Sequence, residues 1–180
     1  MIRTALSLLF AFTVVTGIAY PLVITGVSAL AFSHQANGSL LQRNGMTVGS
    51  SLIGQQFSKP EFFWGRPSAT TPAYNAAASS GSNLGPGNPA LATAVTDRVQ
   101  HFSARPPIDL LTTSGSGLDP HISPEAARFQ LDRIAQARNL PPDAVQALID
   151  AHTEPRTFGI LGAPRVNVLE LNLALAQLKP

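Results

Sequence analysis

The sequence predicts an α+β protein in which one N-terminal membrane helix carries a single mixed soluble domain. Three observations carry this. Residues 4–33 contain neither acid nor base and are mostly aliphatic or aromatic. Apolar residues later recur at helical spacing in several capped segments. Short apolar runs between turn dipeptides read as strands.

The N-terminal segment is the firmest element. Residues 6–30 would form a helix about 37 Å long at about 1.5 Å per residue, enough to cross about 30 Å of hydrocarbon with tilt. A secretory signal has a core of only about 7–15 residues. The Ala29-Leu30-Ala31 string has the small-x-small form of a cleavage site, so a cleaved signal is the alternative. Residues 1–33 are read as the anchor and 34–180 as the domain. Arg3 and the α-amino group lie on one side of the span, and no basic residue follows until Arg43. That bias places the N-terminus in the cytoplasm and the domain on the outer, periplasmic face. Pro21 cannot donate to Gly17, so a kink is expected there. Thr13 and Gly17 share a face on which another helix can approach closely. Thr13, Gly17 and Pro21 are therefore candidate partner contacts.

In the domain, Asn37-Gly38 and Asn44-Gly45 are turn dipeptides. Residues 39–41 and 51–53 read as strands, with Gly54 ending the second. Phe62-Phe63-Trp64-Gly65-Arg66-Pro67 groups three aromatics beside an arginine. The nearly uncharged stretch 74–89 is rich in Ser, Asn, Gly and Pro. Such composition suits a linker, but the flanking aromatics favour an ordered, partner-facing loop. Phe62, Phe63, Trp64, Arg66, Asn83 and Leu84 are the contact candidates there.

A helix is expected over 91–102, with Leu91, Val95, Val99 and Phe102 on one face, followed by an extended run at 107–112. Ser123-Pro124-Glu125 is a helix start, and that helix runs to about Arg138, capped by Asn139. Pro141-Pro142-Asp143 begins another, with Val145, Leu148, Ile149 and His152 on one face. Residues 157–161 read as a strand ending at Gly162. The last helix opens at Asn167, with Glu170 three positions on. Three or four helices packed on a small sheet follow from this pattern.

Several chemistries find no footing. There is no cysteine, which excludes disulfides and thiolate catalysis. Beyond residue 33 there are eleven Lys plus Arg against ten Asp plus Glu, so no phosphate-tracking surface is expected. The four histidines include no i, i+4 pair. His152 reads as packed or at a helix end. Asp119-Pro120-His121 could join a metal site, though a loop before a capped helix explains it equally. Ser114-Gly115-Ser116-Gly117 invites a phosphate-binding reading but lacks the full nucleotide-loop pattern. No G-x-S-x-G elbow occurs, and no carboxylate pair stands out. The residues alone support a membrane-tethered accessory domain without metal or catalytic residues of its own. A membrane-anchored periplasmic binding or sensor domain and an anchored hydrolase are the alternatives.

Longer strings are more specific. Gln35-Ala-Asn-Gly-Ser-Leu40 follows the span, then Leu52-Ile-Gly-Gln55 with Phe57, and Gly65-Arg-Pro-Ser-Ala69. Tyr74-Asn75, Ser80-Gly-Ser-Asn-Leu84 and Asn88-Pro89 come next. Ser116-Gly-Leu-Asp119, Ile122-Ser-Pro-Glu-Ala126, Arg133-Ile-Ala-Gln-Ala-Arg-Asn-Leu140 and Val166-Asn-Val-Leu-Glu-Leu-Asn-Leu-Ala-Leu175 close the series. In this order, from anchor to last helix, they resemble the C subunit of the bacterial Kdp potassium-transporting ATPase. The resemblance implies a single-span subunit of a four-subunit inner-membrane pump. Its implied partners are a channel-like potassium-translocating subunit, a P-type ATPase subunit that hydrolyses ATP, and a very small membrane subunit. It implies a need for this chain in assembly and activity, and a role as catalytic chaperone raising the ATPase subunit's affinity for ATP. ATP is thus implied for the complex, with no motif for it in this chain. The topology read from Arg3 conflicts with direct ATP contact, since ATP is inside. A domain on the outer face could instead cap the potassium entry side of the channel-like subunit.

Overall fold

A computed structural model describes residues 1–178. It is α+β, with a long apolar N-terminal helix followed by a mixed helix and short-strand domain. The chain divides into two compact units, Met1–Ser50 and the remainder from Ser51 onward. The unit boundary therefore falls after Ser50, so residues 34–50 cluster with the apolar helix rather than with the domain.

The first unit begins with a continuous helical stretch, Ile2–Ala31, long and apolar enough to cross a membrane. It comprises α1 (Ile2–Val14), a π-helical turn at Val15–Ala19, and α2 (Tyr20–Ala31). The expected distortion at Pro21 takes this form. A proline ring crowds the carbonyl four residues back and leaves it without its donor. A wider turn just before the proline gives that ring room. Thr16 Oγ1 also donates to the Phe12 carbonyl at 2.7 Å. The short α3 (Ser33–Ala36) leads into a hairpin of β1 (Leu40–Arg43) and β2 (Met46–Ser50). Asn44 and Gly45, both at positive φ, make its two-residue turn. Strand β2 lies at 46–50, and 51–53 is a turn rather than the expected strand. The Asn-Gly turn pairs Arg43 with Met46, and a register shift between Leu41 and Gln42 then brings Leu40 opposite Ser50.

The second unit holds α4 (Pro89–Val99), β3 (His121–Ile122), α5 (Pro124–Phe129), α6 (Leu131–Arg138), α7 (Pro142–Ala151), β4 (Thr153–Glu154), β5 (Arg165–Asn167) and α8 (Val168–Leu175). Its antiparallel sheet has the order β3-β5-β4. Side-chain caps define the helix starts. Asn88 accepts from Ala90 N, Ser123 from Ala126 N, and Asn167 from Leu169 N and Glu170 N. Asn139 ends α6 in the left-handed conformation at φ 55. The core joins Ile122, Ala126, Ile134, Val145, Ile149, Val166, Leu171 and Leu175, the stripes of α5–α8 closing over the central strand β5.

Three expectations are corrected. Residues 107–112 carry a 3-10 turn, Ile108–Leu110, because three successive i→i−3 or i→i−4 bonds close there. The helix expected through 124–138 breaks at Gln130. Its Nε2 takes the Ala126 carbonyl at 3.2 Å, while its own N–H bonds Ala127 O. Residues 157–161 form a tight turn closed by a single Thr157–Leu161 bridge, and the sheet strands lie on either side of it.

Candidate functional site

The aromatic segment at 62–64 sits inside the second unit as irregular chain, so its backbone groups need partners from elsewhere. Two buried amide side chains supply them. Asn172 of α8 accepts from Phe63 N at 2.8 Å and donates to Phe63 O at 3.0 Å. Gln130 accepts from Trp64 N at 2.8 Å and donates to Trp64 O at 3.1 Å. Each amide pairs with one residue as a neighbouring strand would. Both are almost wholly buried, Gln130 at 1% and Asn172 at 3% exposure, so these bonds are not shared with solvent.

Two arginines of α6 hold the ring side of the same segment. The Arg133 guanidinium lies over Trp64, 3.8 Å from the ring centroid. It also donates to the carbonyls of Pro60 and Phe62 and to Gln130 Oε1. Burial lowers its pKa to about 10, still cationic at neutral pH. Arg138 lies 5.3 Å from the Phe62 ring centroid and donates to Glu61 O and Leu175 O.

Phe63 is a correction. It has no exposed surface and packs in the core, so it offers nothing to a partner in this structure. Phe62, Trp64 and Arg66 are half-buried. Asn83 is exposed and Leu84 half-buried, both on the chain between a short 3-10 turn, Ala76–Ala78, and α4. Thr13, Gly17 and Pro21 are exposed on the apolar helix of the first unit.

Arg66 anchors a second polar cluster. It donates to Asp119 Oδ2 at 3.1 Å and to the carbonyls of Thr112 and Thr113. His121 N donates to Asp119 Oδ1 at 3.0 Å, and its ring nitrogen Nδ1 stands 3.6 Å away. Burial raises the Asp119 carboxyl, but His121 and Arg66 outweigh it and hold it below the usual carboxylate range. Asp119 and His121 thus come together, and a guanidinium completes the group. Among the described residues no three His, Asp or Glu side chains gather to hold a metal.

Tyr74, at positive φ, reaches back to donate to Arg66 O at 2.5 Å. Burial pushes its phenol up to about 12, with the Asp119 charge adding and Arg66 opposing. The ring fits only because Gly54 and Gly65 lack side chains. A Cβ on Gly54 would lie 2.6 Å from Tyr74 Cε1, and one on Gly65 2.7 Å from its hydroxyl. Ser68 ties the same turn to Gly117 O at 2.6 Å and accepts from Tyr74 N.

The glycine-rich loop at 114–117 serves the same purpose. Ser116 O accepts from Ser80 N and from Ser79 Oγ, and Gly117 is buried against Ser80 and Thr70. These groups pin the 74–84 stretch. His152 ends α7 with Nδ1 2.9 Å from Leu148 O, as read from the sequence. Beside the clamp lies an open pocket of about 380 Å³ bordered by Phe57, Trp64, Arg66, Tyr74, Arg98 and His101. Aromatic rings, two arginines, His101 and the small polar Ser58 and Ser68 border it.

A family model described as K+-transporting ATPase, c chain (KdpC), matches residues 2–177. The chain belongs to the KdpC family. Among curated relatives, the potassium-transporting ATPase KdpC subunit of Paraburkholderia phytofirmans is 57% identical over 175 residues, covering 93% of this chain and 91% of the relative. That of Herpetosiphon aurantiacus is 55% identical over 185 residues, covering 98% and 96%. That of Dechloromonas aromatica is 54% identical over 183 residues, covering 97% and 96%. In this KdpC-family chain, the residues that sequence reasoning missed are Gln130 and Asn172. Asn172 is a lone amide on the apolar face of α8, and Gln130 a lone amide between Phe129 and Leu131 at the junction of α5 and α6; an amide amid apolar neighbours is the signal that could have exposed them.

Proposed function

We propose that this chain is a non-catalytic accessory subunit of an ATP-driven potassium uptake pump, needed for assembly and activity of the complex. The family match across residues 2–177 carries the reading, and the apolar helix Ile2–Ala31 fits a membrane-seated subunit. The N-terminus lies in the cytoplasm and the domain on the outer face, on the bias set by Arg3. There the domain caps the potassium entry side of the channel-like subunit, beside the P-type ATPase and small membrane subunits. Raised ATP affinity of the ATPase subunit would then be an effect passed through the complex, with ATP bound elsewhere.

In this reading the contact is made by edges that the internal packing leaves free. The clamp on Phe62 and Trp64 uses their backbone and one ring face internally, so they act as a rigid base. The stretch carrying exposed Asn83 and half-buried Leu84 is held by the 114–117 loop and is the outer-face contact.

The test is affinity purification of the tagged full chain from gently solubilised membranes of potassium-limited cells. Co-purification of a P-type ATPase and a channel-like subunit in fixed ratio supports the reading. Recovery of the chain alone sinks it. Asn83→Arg with Leu84→Asp should lower recovery of the channel-like subunit while leaving this chain folded. Unchanged recovery would remove that stretch from the interface.

A further inference from the structure

The turn at 157–161 is the most apolar exposed feature of the second unit. Phe158 is 88% exposed, Ile160 75% and Leu161 56%. Three large apolar side chains at one tip are a cost in water, and such patches mark interaction sites. The tip is built to hold its shape. Thr157 and Leu161 exchange both backbone hydrogen bonds, at 3.0 and 2.9 Å, and Gly159 N bonds Arg156 O at 2.9 Å. Phe158 and Gly159 take positive φ, which turns the chain in a minimum of residues.

The surrounding charge is one-sided. From Pro155 to Leu169 the chain has two arginines and no acid. Arg165 is paired with Glu154. Arg156 is exposed and enters no ion pair among the described residues. An apolar tip beside an unpaired arginine is the composition that seats at an anionic lipid interface.

Chain connectivity brings a bilayer within reach. Leu40 pairs with Ser50, so the β1–β2 hairpin returns the chain to its starting point. Ser51 therefore follows the apolar helix by an effective tether of nine residues, about 30 Å at full extension. Within the second unit, Ser51 O accepts from Asn167 Nδ2 at 2.8 Å. Asn167 ends β5, six residues from Leu161, a span of about 20 Å at strand rise. The tip is thus joined by at most about 20 Å of chain to the strand end that bonds Ser51.

We propose that the tip at 157–161 docks into the interfacial layer of the bilayer that holds the chain's own helix. Phe158, Ile160 and Leu161 enter the headgroup–acyl boundary, and Arg156 meets anionic lipid headgroups. This contact fixes how the domain stands over the membrane and does not depend on any partner subunit.

The chain has no cysteine, so Thr157→Cys in the full-length protein gives a single site for a nitroxide label. Thr157 is exposed and leaves the apolar trio intact. Ala137→Cys on α6, also exposed, is the control. Each protein is reconstituted alone into lipid discs of phosphatidylcholine with or without phosphatidylglycerol. The label at 157 should collide with dissolved oxygen in preference to an aqueous nickel complex, most strongly in the anionic discs. The label at 137 should show the reverse. Phe158→Asp with Ile160→Asp should return the 157 label to water with an unchanged melting temperature. A 157 label as open to the nickel complex as 137 in both discs overturns the proposal. Protection of 157 only when partner subunits are co-purified also overturns it, and assigns the tip to a protein surface.

Discussion

The guanidinium of Arg133 lies over the Trp64 ring, 3.8 Å from its centroid, while its nitrogens reach the carbonyls of Pro60 and Phe62. One side chain thus fixes both the ring and the backbone of the aromatic segment. A planar fork can stack and donate at once, whereas an ammonium cannot. Arg133→Met should cost about 2–3 kcal/mol, as a half-buried cation–π contact and its hydrogen bonds are lost together. Arg133→Lys should recover less than half of that. Trp64 is the single tryptophan, so its emission reports the change directly. Unaltered emission and an unaltered denaturation midpoint in Arg133→Met would rule the clamp out.

Asn172 and Gln130 supply the only side-chain amide partners that Phe63 and Trp64 have among the described residues. Leucine at 172 would keep the volume and leave a buried N–H and C=O of Phe63 unpaired. Asn172→Leu should therefore cost about 3 kcal/mol, near the upper end for orphaned buried groups. Asn172→Asp keeps the acceptor, loses the donor and buries a charge, so it should be no better tolerated. Denaturant titration of the full chain in detergent, followed at Trp64, measures both.

The Gly54 position is closed to any side chain. An added Cβ meets Tyr74 Cε1 at 2.6 Å and the Asp119 carbonyl at 2.7 Å. The carbonyl is backbone and cannot swing aside, so Gly54→Ala should destabilise by about 2 kcal/mol. Tyr74→Ala combined with Gly54→Ala should be less than additive, because the two share one clash. Strict additivity in thermal melts would show that the ring is not the obstacle.

Stability should fall at both ends of the pH scale through neighbouring groups. The folded Asp119 carboxyl titrates below its unfolded value of about 4, held there by His121 and Arg66. Its contribution is present above that value and is lost as pH falls through the lower folded one. Tyr74 behaves oppositely. Its folded value of about 12 exceeds the unfolded value of about 10, so stability is lost as pH rises between the two. Asp119→Asn should flatten the acid limb and Tyr74→Phe the alkaline limb. Denaturation midpoints across pH that keep both limbs in the variants would place the titrating groups elsewhere.

The sequence by itself determined what depends on neighbours along the chain. The apolar span read at 6–30, the Asn44-Gly45 turn, the Ser123 and Asn167 caps and the Asn139 stop all rest on interactions within a few residues. Each was legible because cap and turn chemistry is local. The ordered strings from Gln35 to Leu175 likewise placed the family. The tertiary structure alone decided the rest. Strands of two or three residues, such as His121–Ile122 and Arg165–Asn167, are too short to show a period. The burial of Phe63 depends on Asn172, 109 residues away, and the stance of Trp64 on Gln130 and Arg133, 66 and 69 residues on. An aromatic run reads as an exposed contact until long-range amides pair its backbone. Only a folded chain brings those amides to it.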